Sequence, residues 1–321
     1  MLSIDWSVLR FVPVYQERVW GGRRLETLYG RQLPKEGTPY GESWEICDRV
    51  EAQSEVAEGP LQGWSLHDLW MRSRVEVFGE KFANHKAERF PLLLKILDAS
   101  EDLSIQVHPN DGNAELVSGE AKSEAWFVAK ADSGSKLYAG LAEGVTREGF
   151  EKAMGDGSLA AQVQVHEAVD GGCVAIAGGV MHAIGAGLVI FEIQQNSDTT
   201  YRGFDWNRVG LDGKPRELHQ EAAMKVTDFE GGPVKWQRQV GSRILDWEYF
   251  KLDRFSVSKF EERRAPGFGE FVIGAVVSGE ISFDETTLRA GDFFLVPALA
   301  RGEARRLRGE SASAEILWVS L

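Results

Sequence analysis

The chain has 321 residues, 43% hydrophobic and 26% charged, with 36 basic against 49 acidic side chains and a net charge of −13. That length can bury a large core in one to three domains. The negative overall field argues against nucleic acid or an anionic membrane as a general partner. No apolar run is long enough to span a bilayer and no signal-peptide pattern opens the sequence, so a cytoplasmic protein is expected.

Taken in order, most segments read as short strands separated by glycines: Ser43–Ile46, Leu92–Leu97, Leu103–His108, Ala125–Ala129, Leu137–Gly140, Gly172–Ile176 and Leu188–Gln194. Helical signals are fewer. Ser65-x-x-Asp68 has the form of a capping box ahead of Leu66, Leu69 and Trp70. Thr146-Arg147-Glu148 opens a second helix with Phe150 and Met154 on one face, and Glu217–Thr227 carries Leu218, Ala222 and Val226 at helical spacing. Phe229–Arg243 holds Gly231, Gly232 and Pro233 with little periodicity and marks a boundary. Beyond it, Leu288–Ala298 joins Gly291-Asp292 to an apolar strand and Pro297, as in the second half of a cupin barrel. Asp170–Ile176 carries a similar phrase. The expectation is therefore an all-β protein of two cupin-like (jelly-roll) barrels with a small helical insertion. The first domain runs over 1–235, with the insertion at about 61–90, and the second over 236–321. Cys47 and Cys173 read as two buried thiols rather than a disulfide.

Candidate chemistry centres on Ser104-Ile105-Gln106-Val107-His108. Alternate residues of a strand share a face, so Ser104, Gln106 and His108 line one wall. Glu124 and His182 supply a carboxylate and a second imidazole downstream, completing a mixed N/O donor set for Zn²⁺ or another divalent cation. Lys122, two residues before Glu124, shares its face if both lie in one strand. Lys95 interrupts an otherwise apolar strand, so it either reaches solvent at an edge or faces the metal cavity. The stretch Phe191–Arg208 mixes carboxylates, arginines and aromatics in the manner of a substrate-binding loop, and arginine's planar fork suits phosphate. His219 reads as a packing or capping residue. No Gly-x-Ser-x-Gly elbow, Walker A loop or dinucleotide fingerprint occurs.

These residues stand in a run of phrases that closely resembles type I mannose-6-phosphate isomerase in its short bacterial form. The phrases are Trp20-Gly21-Gly22, Gly41–Ile46, Pro91–Asp111, Lys122–Trp126, Met181–Gly185, Ser197–Arg202 and Gly213–His219, in family order. The resemblance implies a zinc-dependent, cupin-based enzyme acting on a small sugar phosphate, with one Zn²⁺ per chain. It implies Gln106, His108, Glu124 and His182 as metal ligands and Arg202, Lys122, Glu192 and Asp198 as catalytic residues. It places Ser104, Lys95 and Arg208 at the substrate. Mannose 6-phosphate and fructose 6-phosphate would interconvert through an enediol. Glu192, Lys122 and a metal-bound hydroxide all stay open as the base. Ala121 stands where longer members carry a His, leaving sugar-ring opening unassigned. No His follows His219, so the C-terminal domain is expected to be metal-free. The alternative is a sugar-phosphate-binding or regulatory cupin protein with little turnover. An iron-dependent cupin oxygenase ranks below it, because such enzymes use a His-richer ligand set.

Overall fold

The computed structural model describes residues 6–321. The chain is mostly β, 39% strand against 15% helix, and its sheets are antiparallel. The strand orders are open, and none closes into a barrel among the described residues. Cys47 and Cys173 are both buried. No helix among the described residues is long and apolar enough to cross a membrane.

Two compact units divide the chain, and neither is continuous in sequence. The first takes the chain as far as Val14, then Trp44–Leu93 and Arg238–Leu321; the second takes Tyr15–Ser43 and Leu94–Gln237. The helical stretch around 61–90, expected as an insertion of the N-terminal domain, thus belongs to the same unit as the C-terminal strands.

In the first unit a seven-stranded sheet runs in the order 243–246, 251–258, 313–320, 272–278, 293–296, 9–12, 55–56. A four-stranded sheet takes 262–264, 306–309, 280–283 and 286–289. Alternate residues of both sheets, among them Phe255, Val276, Phe294 and Trp318 from one and Ile281, Phe283 and Leu307 from the other, fill a wholly apolar core. The expected capping box is present. Ser65 Oγ accepts from the Asp68 N–H, and Asp68 returns the bond to the Ser65 N–H, starting the helix Leu66–Arg72.

The second unit carries a six-stranded sheet in the order 173–176, 124–131, 188–195, 92–99, 14–22, 40–46 and a five-stranded sheet in the order 201–204, 105–107, 182–184, 136–141, 163–167. The strand period of two sorts every side chain. Ile105, Val107 and Ala183 point outward to a core shared with Phe150 and Met154 of the helix Arg147–Asp156 and with Ala223 and Val226 of the helix Gln220–Val226. On the inner faces Trp20, Leu97, Trp126, Ile184 and Ile190 form an apolar core. The next inward positions on those strands are Arg18, Lys95, Glu124, His182 and Glu192, so one end of the inner layer is ionisable where the other is apolar. Two glycines let the strands of this end approach closely. A Cβ on Gly21 would come within 2.3 Å of the Gly41 nitrogen, and one on Gly41 within 2.6 Å of the Trp20 ring.

Candidate metal centre and cavity

Three strands bring the metal-type residues together. His182 stands opposite Gln106 in the ladder joining 182–184 to 105–107. Gln194 stands opposite Glu124, and Glu192 opposite Trp126, in the ladder joining 188–195 to 124–131. His108 follows its strand, its carbonyl accepting from the Gly179 N–H at 2.7 Å. As a result His108, Glu124 and His182 offer ligand atoms that all lie within 4.8 Å of one another, each side chain 1% exposed.

Local bonds fix the donors. His182 Nδ1 donates to the Val180 carbonyl at 2.8 Å, which leaves the Nε2 lone pair facing Glu124 Oε1 at 3.5 Å. His108 Nε2 lies 3.5 Å from Glu124 Oε2, while its Nδ1 is buried without a hydrogen-bond partner. Burial, followed by the Lys122 charge, pushes the His108 imidazolium down to about 3. Burial likewise lowers His182. Burial alone would raise Glu124, but Lys122 and the two imidazoles hold it well below the usual carboxylate range. Two neutral imidazoles and a carboxylate are the protonation states a divalent cation requires.

Lys122 precedes the strand Glu124–Ala131 rather than lying in it, yet its Nζ reaches Glu124 Oε2 at 2.9 Å and His108 Nε2 at 3.2 Å. Burial disfavours that ammonium, but the charges of Glu124 and Glu192 more than offset it and raise its pKa. Gln106 presents Nε2 to His182 Nε2 at 3.5 Å, and its Oε1 accepts from Ser104 Oγ at 3.0 Å.

A cavity of about 710 Å³ opens above this cluster. Gln106, Lys122, Ser104, Lys95, Glu192, Asp198 and Arg202 line it, whereas His108, Glu124 and His182 are not among the lining residues. Lys95 therefore faces the cavity and not an edge. It is 3% exposed, with Nζ 3.4 Å from Glu42, 3.6 Å from Glu192 and 4.0 Å from Asp198. Burial and the Glu124 charge push Glu192 up to about 7. Its Oε2 accepts from Trp126 Nε1 at 3.2 Å, and its Oε1 accepts no hydrogen bond.

Arg208 is not brought to the cavity. Its guanidinium donates twice to Asp205 Oδ1 and lies 3.6 Å from Glu101. Six ionisable lining residues were not among the site residues expected from sequence: Glu17, Arg18, Glu42, Asp212, Arg216 and His219. Arg18 Nε donates to Glu42 Oε1 at 2.6 Å. His219, expected to pack or cap, clasps the strand of Arg202: its N–H donates to the Arg202 carbonyl at 2.8 Å and its Nδ1 accepts the Arg202 N–H at 3.2 Å.

Fold and site together define a class, mostly-β proteins with a buried cluster able to hold a metal ion behind a polar cavity. The pattern of the phosphomannose isomerase type I catalytic domain matches residues 8–145. The chain is 34% identical to the "Probable mannose-6-phosphate isomerase GmuF" of Bacillus subtilis (strain 168), over 89% of this chain and 92% of that one. It is 32% identical to the mannose-6-phosphate isomerase ManA of the same organism, over 90% and 92%. The crystal structure of the mannose 6-phosphate isomerase from Bacillus subtilis superposes with a TM-score of 0.82 at 28% identity, covering 97% of this chain and 99% of that one. The chain belongs to the type I phosphomannose isomerase family and is an isomerase.

Proposed function

We propose that this chain interconverts mannose 6-phosphate and fructose 6-phosphate in the cytoplasm, moving a proton between C1 and C2 through an enediol with one Zn²⁺ per chain. The observation that carries this reading is the buried His108–Glu124–His182 cluster behind the cavity-lining Lys122 and Gln106, in a chain of this isomerase family. The donor set fits the metal. It offers two neutral imidazoles, one of them fixed through Nδ1, and a buried carboxylate held ionised beside Lys122. Gln106 would be the fourth ligand through Oε1, which requires its amide to turn away from Ser104. Lys122 would give up its contact with His108 Nε2, which has a single lone pair to share. When bound, the ion supplies Lewis-acid polarisation of the substrate carbonyl.

Glu192 is the protein group best suited to take the carbon-bound proton. It faces the cavity, its Oε1 accepts no hydrogen bond, and its pKa of about 7 sits near the working pH. Lys122 is committed as an ammonium beside Glu124 and acts as a donor to the developing oxyanion. Lys95 holds Glu192 and Asp198 in place. Arg202 stabilises the enediolate or grips the phosphate, and Ser104 orients Gln106. Arg208 acts at one remove, by holding Asp205. The two sheets of each unit we read as the layers of a jelly roll. A coupled isomerase assay on mannose 6-phosphate, with metal content measured on the same sample, tests the proposal. A fully metal-loaded, folded protein without turnover would leave a sugar-phosphate-binding protein instead.

A further inference from the structure

The cavity's positive charges are unevenly matched. Lys95 and Lys122 each sit among carboxylates. The guanidinium groups of Arg202 and Arg216 have far less company. Arg202 forms no ion pair among the described residues, and its Nε is buried without a hydrogen-bond partner. Among the described residues Arg216 makes one ion pair, Nε to Asp205 Oδ2 at 3.4 Å, on a carboxylate already bonded twice to Arg208. Arg18 gives Nε to Glu42 and one Nη to the Glu17 carbonyl. Burial, and then the repulsion of Arg202, brings the Arg216 guanidinium down to about 10, with Arg208 and Arg18 acting in the same sense. Burial lowers Arg202 as well, and Arg18 adds to it.

The backbone holds this crowding in place. After the strand Tyr201–Phe204 the chain turns through Trp206 and Asn207, both left-handed at φ 56° and 55°. A tight hairpin follows, with Val209 opposite Pro215 and the Gly210 N–H donating to the Lys214 carbonyl at 2.7 Å. That hairpin returns Arg216 to the cavity wall, and His219 then ties the chain to the Arg202 backbone through its own N–H and its ring Nδ1. Like charges gathered at a half-buried wall, on a chain of net charge −13, are stabilised when an anion with several acceptor oxygens enters between them.

We propose that Arg18 and Arg216 join Arg202 in a phosphate anchor, which fixes a sugar phosphate by its phosphoryl group and leaves the carbonyl end to the Lys95–Lys122–Glu192 end of the cavity. The assignment rests on the isomerase reading for the sugar, while the anion site itself rests on the arginines. It makes Arg18 and Arg216 specificity residues that touch substrate away from the reacting carbons.

The test uses the metal-loaded chain as wild type, Arg216→Gln, Arg18→Gln and Arg216→Lys. Inorganic phosphate is titrated by calorimetry, and steady-state kinetics are run on mannose 6-phosphate. Loss of one charge-assisted contact predicts about a tenfold to hundredfold weaker phosphate affinity and an equal rise in KM for each glutamine variant. With kcat within about threefold of wild type, the loss is one of uniform binding. Arg216→Lys recovers part of both. Unchanged phosphate affinity and KM in Arg216→Gln and Arg18→Gln overturn the proposal, as does a fall in kcat with KM untouched. Should Arg216→Gln fail to fold, wild-type affinity in Arg216→Lys counts against it, because a lysine cannot replace the bidentate fork. A wild-type chain that binds phosphate through these arginines but does not isomerise mannose 6-phosphate would sink the isomerase reading and leave the anion site standing.

Discussion

Lys95→Met should destabilise the metal-free protein by an amount that grows with pH. Lys95 Nζ is buried among three carboxylates, at 3.4 Å from Glu42, 3.6 Å from Glu192 and 4.0 Å from Asp198. Removing one partner of a buried pair typically costs about 3–5 kcal/mol, because the surviving charge is stranded. Here the survivors differ. Glu42 keeps Arg18 at 2.6 Å, and Asp198, 44% exposed at its side chain, is screened by water. Glu192 is the stranded group, and it can escape by taking a proton. Its folded pKa is about 7, against 4.5 unperturbed. Between those values the fold keeps a proton that the unfolded chain has released, so wild-type stability falls as pH rises through the window. Deleting Lys95 extends that window upward. At pH 6 Glu192 is already mostly protonated in both proteins, and the loss through it is small. At pH 8 its share is limited by the cost of protonation, about 1.4 kcal/mol for one unit above pH 7. Urea denaturation of chelator-treated protein should therefore give a loss about 1.4 kcal/mol larger at pH 8 than at pH 6. The pH dependence should vanish when Glu192→Gln is added to Lys95→Met. An equal loss at both pH values, or a larger one at pH 6, would refute the coupling.

His182→Ala should lose both metal and turnover, since one of few ligands is gone; full metal by elemental analysis in the purified variant would remove His182 from the site. Glu192→Gln should keep the metal and lose roughly 10²–10⁴ of kcat, and the ascending limb of the kcat/KM pH profile should go with it, because the base form of Glu192 is populated as pH rises. A limb that survives the substitution assigns the base elsewhere. Arg202→Lys should fold and bind metal yet lose about a hundredfold in kcat/KM, roughly 3 kcal/mol, for want of the bidentate fork; a near-normal kcat/KM would take Arg202 out of the site. Fructose 6-phosphate turned over in D₂O should give mannose 6-phosphate with deuterium at C2, read by NMR at low conversion. Its complete absence would favour direct hydride transfer between carbons.

The legible part of this chain was the part written along single strands. Ser104, Gln106 and His108 alternate with Ile105 and Val107, and the fold uses that alternation as the sequence implies, with Ile105 and Val107 packed among the helices and Gln106 on the cavity wall. The capping box at Ser65 and the helix beginning after Thr146 were equally local. Contacts made between strands were not legible. Nothing in Glu17-Arg18-Val19 says that this strand runs beside Gly41-Glu42-Ser43, so neither the Arg18–Glu42 pair nor its place at the cavity could be read from spacing. The two compact units hid for the same reason, because each is assembled from segments far apart in sequence.

Arg208 and Arg216 show what decides such cases. Both arginines follow the strand of Arg202, and the family resemblance favours Arg208, which matches a basic position of its pattern. The tight turn at Trp206 and Asn207 reverses that order. It folds Arg208 back onto Asp205, within three residues, where two hydrogen bonds neutralise it, and the hairpin beyond carries Arg216 to the wall. A guanidinium bonded twice to its own carboxylate gains less from a phosphate than one that keeps donors to spare, since the anion must compete with that carboxylate for the same N–H groups. An arginine held near other arginines, with one carboxylate at 3.4 Å that is already shared, gains the full attraction. On this proposal the residues that recognise the anion are set by which guanidinium groups the fold leaves with donors to spare, and a motif match alone is a poor guide to them.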